Sequence, residues 1–369
     1  MTPDSHPQTR ELTVRECTDR AAWDALVTAH GGHPLQLWGW GELKAAHHWR
    51  TERLIVGDAG RPLGGAQVLY RALPWPLKSL AYLSRGPVGS PEDAAAVLDA
   101  VARHVRTTRG SVALVAEPDW DAGSPGEQGL ASAGFARTDS TILIPRTLIL
   151  DLTQSEDELM AAMSRTTRAN VRKNLKGELE FRKIASDAEL EQVLAIYRET
   201  AQRAGFGIHE DRYYRDIWRF LGEDSPIVAA FDGGEVVAFV WIARSAGTAF
   251  ELYGGVNAAG QKARANYGVK WAAFTAMKAD GCTRYDLNGL LNDGISDFKK
   301  QFAQHEDLLT GTWELPLSPL YPVYAKGMPL ARRALQEGRK AAKAAVRQTK
   351  SAAGQARGVA GRVRRLVRR

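Results

Sequence analysis

An α/β (α+β) architecture made of one unit used twice is the fold this sequence predicts, on three observations. Apolar strands joined by a tight Asp/Gly turn occur twice, around residues 58–60 and 232–234. A short strand followed by an amphipathic helix opens each half. Matching elements stay about 170 residues apart, Tyr82 and Tyr253 being 171 apart, a spacing too regular for similarity of composition alone. The 369 residues are 44% hydrophobic and 25% charged, which excludes a disordered or collagen-like chain. Only Cys17 and Cys282 are present, in no ligand-like spacing, so neither a disulfide framework nor a structural zinc site is expected. The histidines have no acidic or Cys partner at ligand spacing, and no metal is expected.

In chain order, a strand near Val14 leads to a helix beginning around Asp19. Its counterpart is a strand at Phe181 and a helix capped by Ser186 or Asp187, with Leu190, Val193, Leu194 and Tyr197 on one face. Each hairpin is followed by a strand holding a tyrosine and then glycine, Tyr82 in AYLSRGPVG and Tyr253 in FELYGGVN. A helix follows, over 91–108 and 265–280, and then a return strand, SVALVAEP or TRYDLNG. Between the halves an apolar strand ends at Asp151 and Leu152. The next helix is capped by Thr153 or Ser155, with Glu156, Asp157 and Glu158 in its first turn. The expected organisation is two tandem domains, 1–150 and 151–330, and a tail, 331–369.

Hairpins alternating with helices in this order resemble an acyltransferase fold of the GNAT type. An acyl-CoA enzyme of that fold needs a Gly-rich turn to hold the pyrophosphate at a helix N-terminus. GGVNAAGQKARANYGVKW lacks that pattern, and GPVGSPEDAAAV puts Glu92 and Asp93 at the helix start, where they would repel a phosphate. A different acyl donor is implied. The stretches QLWGWGELK, YLSRGP, RTTRANVRKNLK, GFGIHEDRYYRDIW, ELYGG, YDLNG and DFKKQF occur in the order found in the Fem family of peptidoglycan-bridge aminoacyltransferases, which the chain resembles over roughly residues 12–325. About twenty residues separate Phe206 from Pro226, so the likeness is to the FemX-like subtype without a coiled-coil arm.

The resemblance implies transfer of an amino acid from aminoacyl-tRNA to an amino group on the stem peptide of a peptidoglycan precursor, UDP-linked or lipid-linked, with no cofactor. It makes Lys299, beside Phe298, the catalytic residue that stabilises the oxyanion or leaving group. It makes Lys44, at the end of the segment holding Trp40, the lysine that meets the precursor's diphosphate. Tyr82, Tyr214, Tyr253 and Asp286 are placed around the precursor. The family's phosphate-binding arginine is replaced here by Glu210, with Arg212 as a nearby substitute. Read without the resemblance, the lysines equally fit a solvated surface pair and a helix-surface lysine, and each tyrosine a buried structural one. Glu251, Asp286, Asp297 and His209 are titratable neighbours, none with a spacing that identifies a base.

Arg165, Arg168, Arg172 and Lys176 fall on one helical face, a stripe suited to tRNA phosphates or a plain solvated face. Thirteen Lys and Arg against Glu337 alone give the segment from Arg332 onward a net charge of +12 out of +7 for the chain, leaving −5 before it. That tail fits a solvated extension, a peripheral contact with an anionic membrane, or RNA. No apolar run approaches the roughly 18 residues of a spanning helix and no signal peptide is evident, so a cytoplasmic protein, held peripherally at the inner membrane face by its tail, is expected. An atypical acyl-CoA N-acyltransferase and a non-catalytic RNA- or membrane-binding protein are the alternative readings.

Overall fold

A computed structural model describes residues 12–58 and 61–327. The tail expected over 331–369 and positions 59–60 of the first turn lie outside these residues. The chain divides into a compact unit ending at Leu317 and a second unit from Ser318 onward.

Two mixed sheets carry the compact unit, and their strand orders repeat. In the first, Thr13–Glu16, Trp49–Asp58, Arg61–Ala72 and Ser79–Ser84 pair antiparallel in that order, and Ser79–Ser84 then pairs parallel with Ala113–Glu117. In the second, Glu180–Lys183, Ile227–Asp232, Glu235–Ser245 and Thr248–Val256 pair antiparallel, and Thr248–Val256 pairs parallel with Arg284–Asp286. The duplication is therefore one of topology as well as spacing.

Two strands cross the expected border at residue 150. Ile149–Asp151 runs antiparallel to Arg284–Asp286 and completes the second sheet. Thr312–Pro316, late in the chain, inserts into the first sheet between Ala113–Glu117 and Ala136–Thr138. Each half thus borrows a strand from outside its own stretch of sequence.

Local chemistry sets the helix starts. Asp19 caps Arg20–Ala29 by accepting from the Ala22 N–H at 2.8 Å. Ser155, not Thr153, caps Glu156–Ala162 in a reciprocal pair with Glu158, and Ser186 caps Asp187–Ala204. The Asp187–Ala204 face made of Leu190, Val193, Leu194 and Tyr197 is buried as expected. The first-half helix begins at Ala94 rather than residue 91, after a turn in which Asp93 hydrogen-bonds Ser90.

Cores form on both sheets. Phe274, Tyr285 and Met277 lie in the second-half core and Val97, Val101 and Leu114 in the first-half core. A third cluster joins Trp40 and Leu43 of the helix Trp38–Ala46 to Tyr213, Tyr214 and Ile217 of Asp211–Leu221. The segment between Ala204 and Ile227 holds that one helix and a 3-10 turn, with no coiled-coil arm among the described residues.

Candidate active site

The parallel pairing in the second sheet stops at Phe250↔Asp286. Beyond it the strands part: Glu251–Val256 continues as strand against Glu235–Ser245, while Leu287 and Asn288 turn away as loop. A cavity of about 380 Å³ occupies the opening, lined by both diverging segments, by Tyr197 and Arg203 of Asp187–Ala204, by Lys270 of Ala265–Ala279, and by Ile295, Phe298 and Lys299 of Gly294–Lys299. A register shift opposite Trp241 and Ile242 turns Glu251 and Tyr253 to opposite faces of the strand, and both line the opening.

Lys299 lies half-buried there, its Nζ donating to the carbonyl oxygens of Asn288 and of Gly289, the latter at 3.2 Å. Asn288 sits in the left-handed region at φ +56, and its N–H donates to Asp286 Oδ1 at 2.7 Å. Asp286 is fully buried and also accepts from Thr147 Oγ1, so it stands behind the cavity wall and reaches Lys299 only through Asn288. Burial pushes the Lys299 ammonium down to about 8, opposed by Glu251 and helped by Lys270. Phe298 packs edge-on against Tyr267 and Phe302, both at 5.2 Å, and also faces the cavity.

A buried ion pair that sequence reasoning missed lies across from Lys299. Lys270 and Glu251 are 5% and 6% exposed and bonded to each other, with the Tyr285 hydroxyl 3.4 Å from Glu251. The available signal was a lysine set between the apolar Val269 and Trp271.

The cavity runs into an aromatic cluster through Tyr197 and Tyr253, whose rings are 5.2 Å apart. Tyr214 is 5.2 Å from Tyr253, and its hydroxyl accepts from the His209 N–H at 2.9 Å. Lys44 lies on the other side, over the Trp40 ring at 4.5 Å, and donates to the Tyr213 hydroxyl at 2.7 Å. Burial lowers its ammonium to about 8. Tyr253, Phe298 and Lys299 thus line one cavity, and Lys44, Trp40 and Tyr214, with Tyr213, lie in the aromatic cluster that Tyr253 joins to it. His209 stacks on Tyr213 at 4.1 Å, and His47 meets it edge-on at 4.8 Å while bonding Asp216 at 2.9 Å.

Other expected residues sit elsewhere. Arg212 is largely exposed and turns 3.6 Å from Asp216, so helix geometry directs it away from Lys44. Tyr82 is buried in the first sheet with its hydroxyl 2.5 Å from Glu117, apart from the cavity wall. Glu117 also accepts the N–H groups of Ile142 and Leu143 at 2.7 and 3.0 Å, so the chain itself covers this end of the first sheet. In the basic stripe on Arg165–Leu175, Arg165, Arg172 and Lys176 are exposed, whereas Arg168 donates to the carbonyls of Ala161 and Met163 at 2.9 and 2.6 Å. The stripe begins beside the lysine: the Ser164 N–H donates to the Gln301 carbonyl at 2.9 Å.

Several amides of the strand-to-helix turn are bonded within the protein. A short helix, Ala258–Ala263, fills the turn, and the N–H groups of Gly260, Gln261, Arg264, Tyr267 and Gly268 are all spent within the protein.

A family model described as an acetyltransferase (GNAT) domain matches residues 161–300. A lipid II:glycine glycyltransferase of Staphylococcus aureus is 31% identical over 215 residues, 54% of this chain and 50% of that protein, so the chain spans about half the length of the curated relatives it matches. Among solved structures, FemX superposes with a TM-score of 0.77 at 20% identity, covering 84% of this chain and 99% of that one. L-PGS from Bacillus licheniformis gives 0.54 at 14% identity, covering 83% and 94%. The fold is of the GNAT acyltransferase type. In sequence the chain is similar to that glycyltransferase, and in fold to FemX. No helix among the described residues is long and apolar enough to cross a membrane.

Proposed function

We propose that the protein moves an aminoacyl group from aminoacyl-tRNA to an amine on the stem peptide of a peptidoglycan precursor. The observation that carries this reading is a pairing of opposites in one half of the fold. A lysine lies in the parted strands, while the turn that would cradle the pyrophosphate of an acyl-CoA is occupied by a short helix and lacks the glycine pattern. Such a site supports acyl transfer from a donor held by other means. The exposed Arg165, Arg172 and Lys176, beginning next to the Lys299 segment, offer phosphate contacts for a tRNA.

The acceptor amine, once deprotonated, attacks the ester carbonyl carbon. The carbonyl electrons move onto oxygen, and the bond to the ribose oxygen then breaks. Lys299, as a cation held at the cavity wall, stabilises the oxyanion and the departing ribose oxygen. Asp286 and Asn288 are positioning residues, because they fix the carbonyls that orient its Nζ. Lys44 supplies the charge for the precursor phosphates, with Tyr213, Tyr253 and Trp40 walling the path between the two lysines. The likeness to an enzyme named for lipid II supports the acceptor class. The proposed chemistry requires no metal or organic cofactor.

The test incubates purified protein with charged tRNAs and with nucleotide-linked and lipid-linked precursors, then measures precursor mass. A gain of one or more amino acid residues that disappears when the tRNA is deacylated is the expected result. Acetylation from acetyl-CoA in its place would overturn the reading.

A further inference from the structure

We infer that the tip of the hairpin between Arg61–Ala72 and Ser79–Ser84, with the groove at its base, is a docking surface for an anionic lipid bilayer. At the tip Trp75 is 92% exposed, between exposed Pro74 and Pro76 and half-buried Leu73 and Leu77. The loop is held by two nested hydrogen bonds, Leu73 N–H to Lys78 O at 2.9 Å and Leu77 N–H to Pro74 O at 3.0 Å, which keep the indole away from the body. A large aromatic ring in that position costs free energy in water and is favoured at a membrane interface, where its apolar body and its N–H each find a suitable surrounding.

The groove at the loop's base is lined by His48, Trp49, Arg50, Tyr70, Lys78 and Arg109. Its acidic neighbour is already neutralised: Glu52 is 3% exposed and bonded to Tyr70 at 2.6 Å, His104 at 3.1 Å and Arg109 at 2.9 Å. Arg50, Lys78 and adjacent Arg71 have no carboxylate partner among the described residues. The arginines lie only over aromatic rings, Arg50 by Tyr70 at 5.9 Å and Arg71 by Trp49 at 5.5 Å. An apolar tip above a ring of free cations matches the layering of a bilayer, acyl chains inside and phosphates outside. RNA is the poorer fit, since the Pro-Trp-Pro tip has no proline N–H to read a base and no second ring to sandwich one.

The surface also lies next to the proposed precursor site. The helix Trp38–Ala46 carries Lys44 and ends two residues before His48. Docking there would bring Lys44 close to the plane where a lipid-linked diphosphate sits, so the lipid-linked acceptor is favoured; this last link rests on the function proposed above, whereas the docking surface does not.

The test uses the full chain with vesicles of phosphatidylcholine, alone or mixed with phosphatidylglycerol, carrying brominated acyl chains that quench tryptophan fluorescence. No tryptophan occurs after Trp313, so the basic C-terminal segment itself contributes no such signal, and Trp75→Ala reads out the hairpin tip. Quenching is expected with the anionic vesicles and is expected to disappear in Trp75→Ala. Lys78→Glu should weaken vesicle partition roughly tenfold or more. Equal quenching in Trp75→Ala, or unchanged partition in Lys78→Glu, overturns the proposal. Loss of tRNA binding in these variants with vesicle binding intact overturns it too, and assigns the surface to RNA. Both variants should turn over a nucleotide-linked precursor normally, and a loss confined to lipid-linked precursor in vesicles supports the link to Lys44.

Discussion

Burial holds the Lys299 ammonium near a pKa of about 8, so the side chain is a cation below that pH and loses its charge above it. If that charge stabilises the oxyanion, kcat has a falling limb near pH 8, set against a rise as the acceptor amine deprotonates. Lys299→Arg stays charged throughout and should abolish the falling limb while keeping part of the activity. Lys299→Ala should lower kcat by roughly a hundredfold or more with little change in precursor affinity. A pH–rate series on the three proteins decides this. Across the cavity, Lys270→Ala should cost about 3–5 kcal/mol in denaturant unfolding, because it strands a buried Glu251 carboxylate, and Lys270→Met with Glu251→Leu should recover most of it. That Lys299 and Tyr253 share one cavity agrees with the short motifs that single each of them out. Tyr213 was not singled out: adjacent residues on a helix point about 100° apart. Which of Tyr213 and Tyr214 meets Lys44 depends on how Asp211–Leu221 rolls against Trp38–Ala46, and that roll is set by packing between distant segments.

Helix against helix, Arg165–Leu175 meets Ala265–Ala279 through an unexpected polar seam. Asn174 accepts from the Gly268 N–H at 3.0 Å and donates to the Ala263 carbonyl at 3.0 Å. A Cβ on Gly268 would lie 2.8 Å from the Asn174 Cβ and closer still to the Phe181 ring. Gly268→Ala should therefore push the helices apart, at a cost of about 1–3 kcal/mol. It should also reduce activity by shifting the Ser164–Gln301 contact beside Lys299; thermal unfolding and a rate assay check both. The basic stripe separates by the same reasoning. Arg172→Glu with Lys176→Glu should leave the melting temperature alone and weaken tRNA binding with a shallower salt dependence. Arg168→Ala should instead lower the melting temperature, because Arg168 closes the end of Glu156–Ala162. The periodicity showed the stripe but not this division, since a helical wheel records direction and not what stands there. The filling of the strand-to-helix turn by Ala258–Ala263 was likewise beyond the sequence.

At the scale of the molecule, the doubled topology was legible because hairpins, tyrosines and helices recur at one spacing, whereas the strands that join a sheet from outside its own half were not. Strand Thr312–Pro316 carries no mark of its partner; it is placed by pairing with Ala113–Glu117, roughly two hundred residues earlier. A fragment ending at residue 150 should consequently fail to fold, since the edge of Ala113–Glu117 would be left bare and prone to aggregate. Supplying residues 151–369 as a separate chain should restore solubility, a result that size-exclusion chromatography of the co-expressed pieces would show. The borrowed strand also bears on how the protein is made. During synthesis the first half emerges from the ribosome with its sheet unfinished and waits for nearly all of the second before the gap can close. A message cut short between the codons for Glu117 and Thr312 yields a product whose first sheet cannot be completed, and each such product presents the same open edge to proteases.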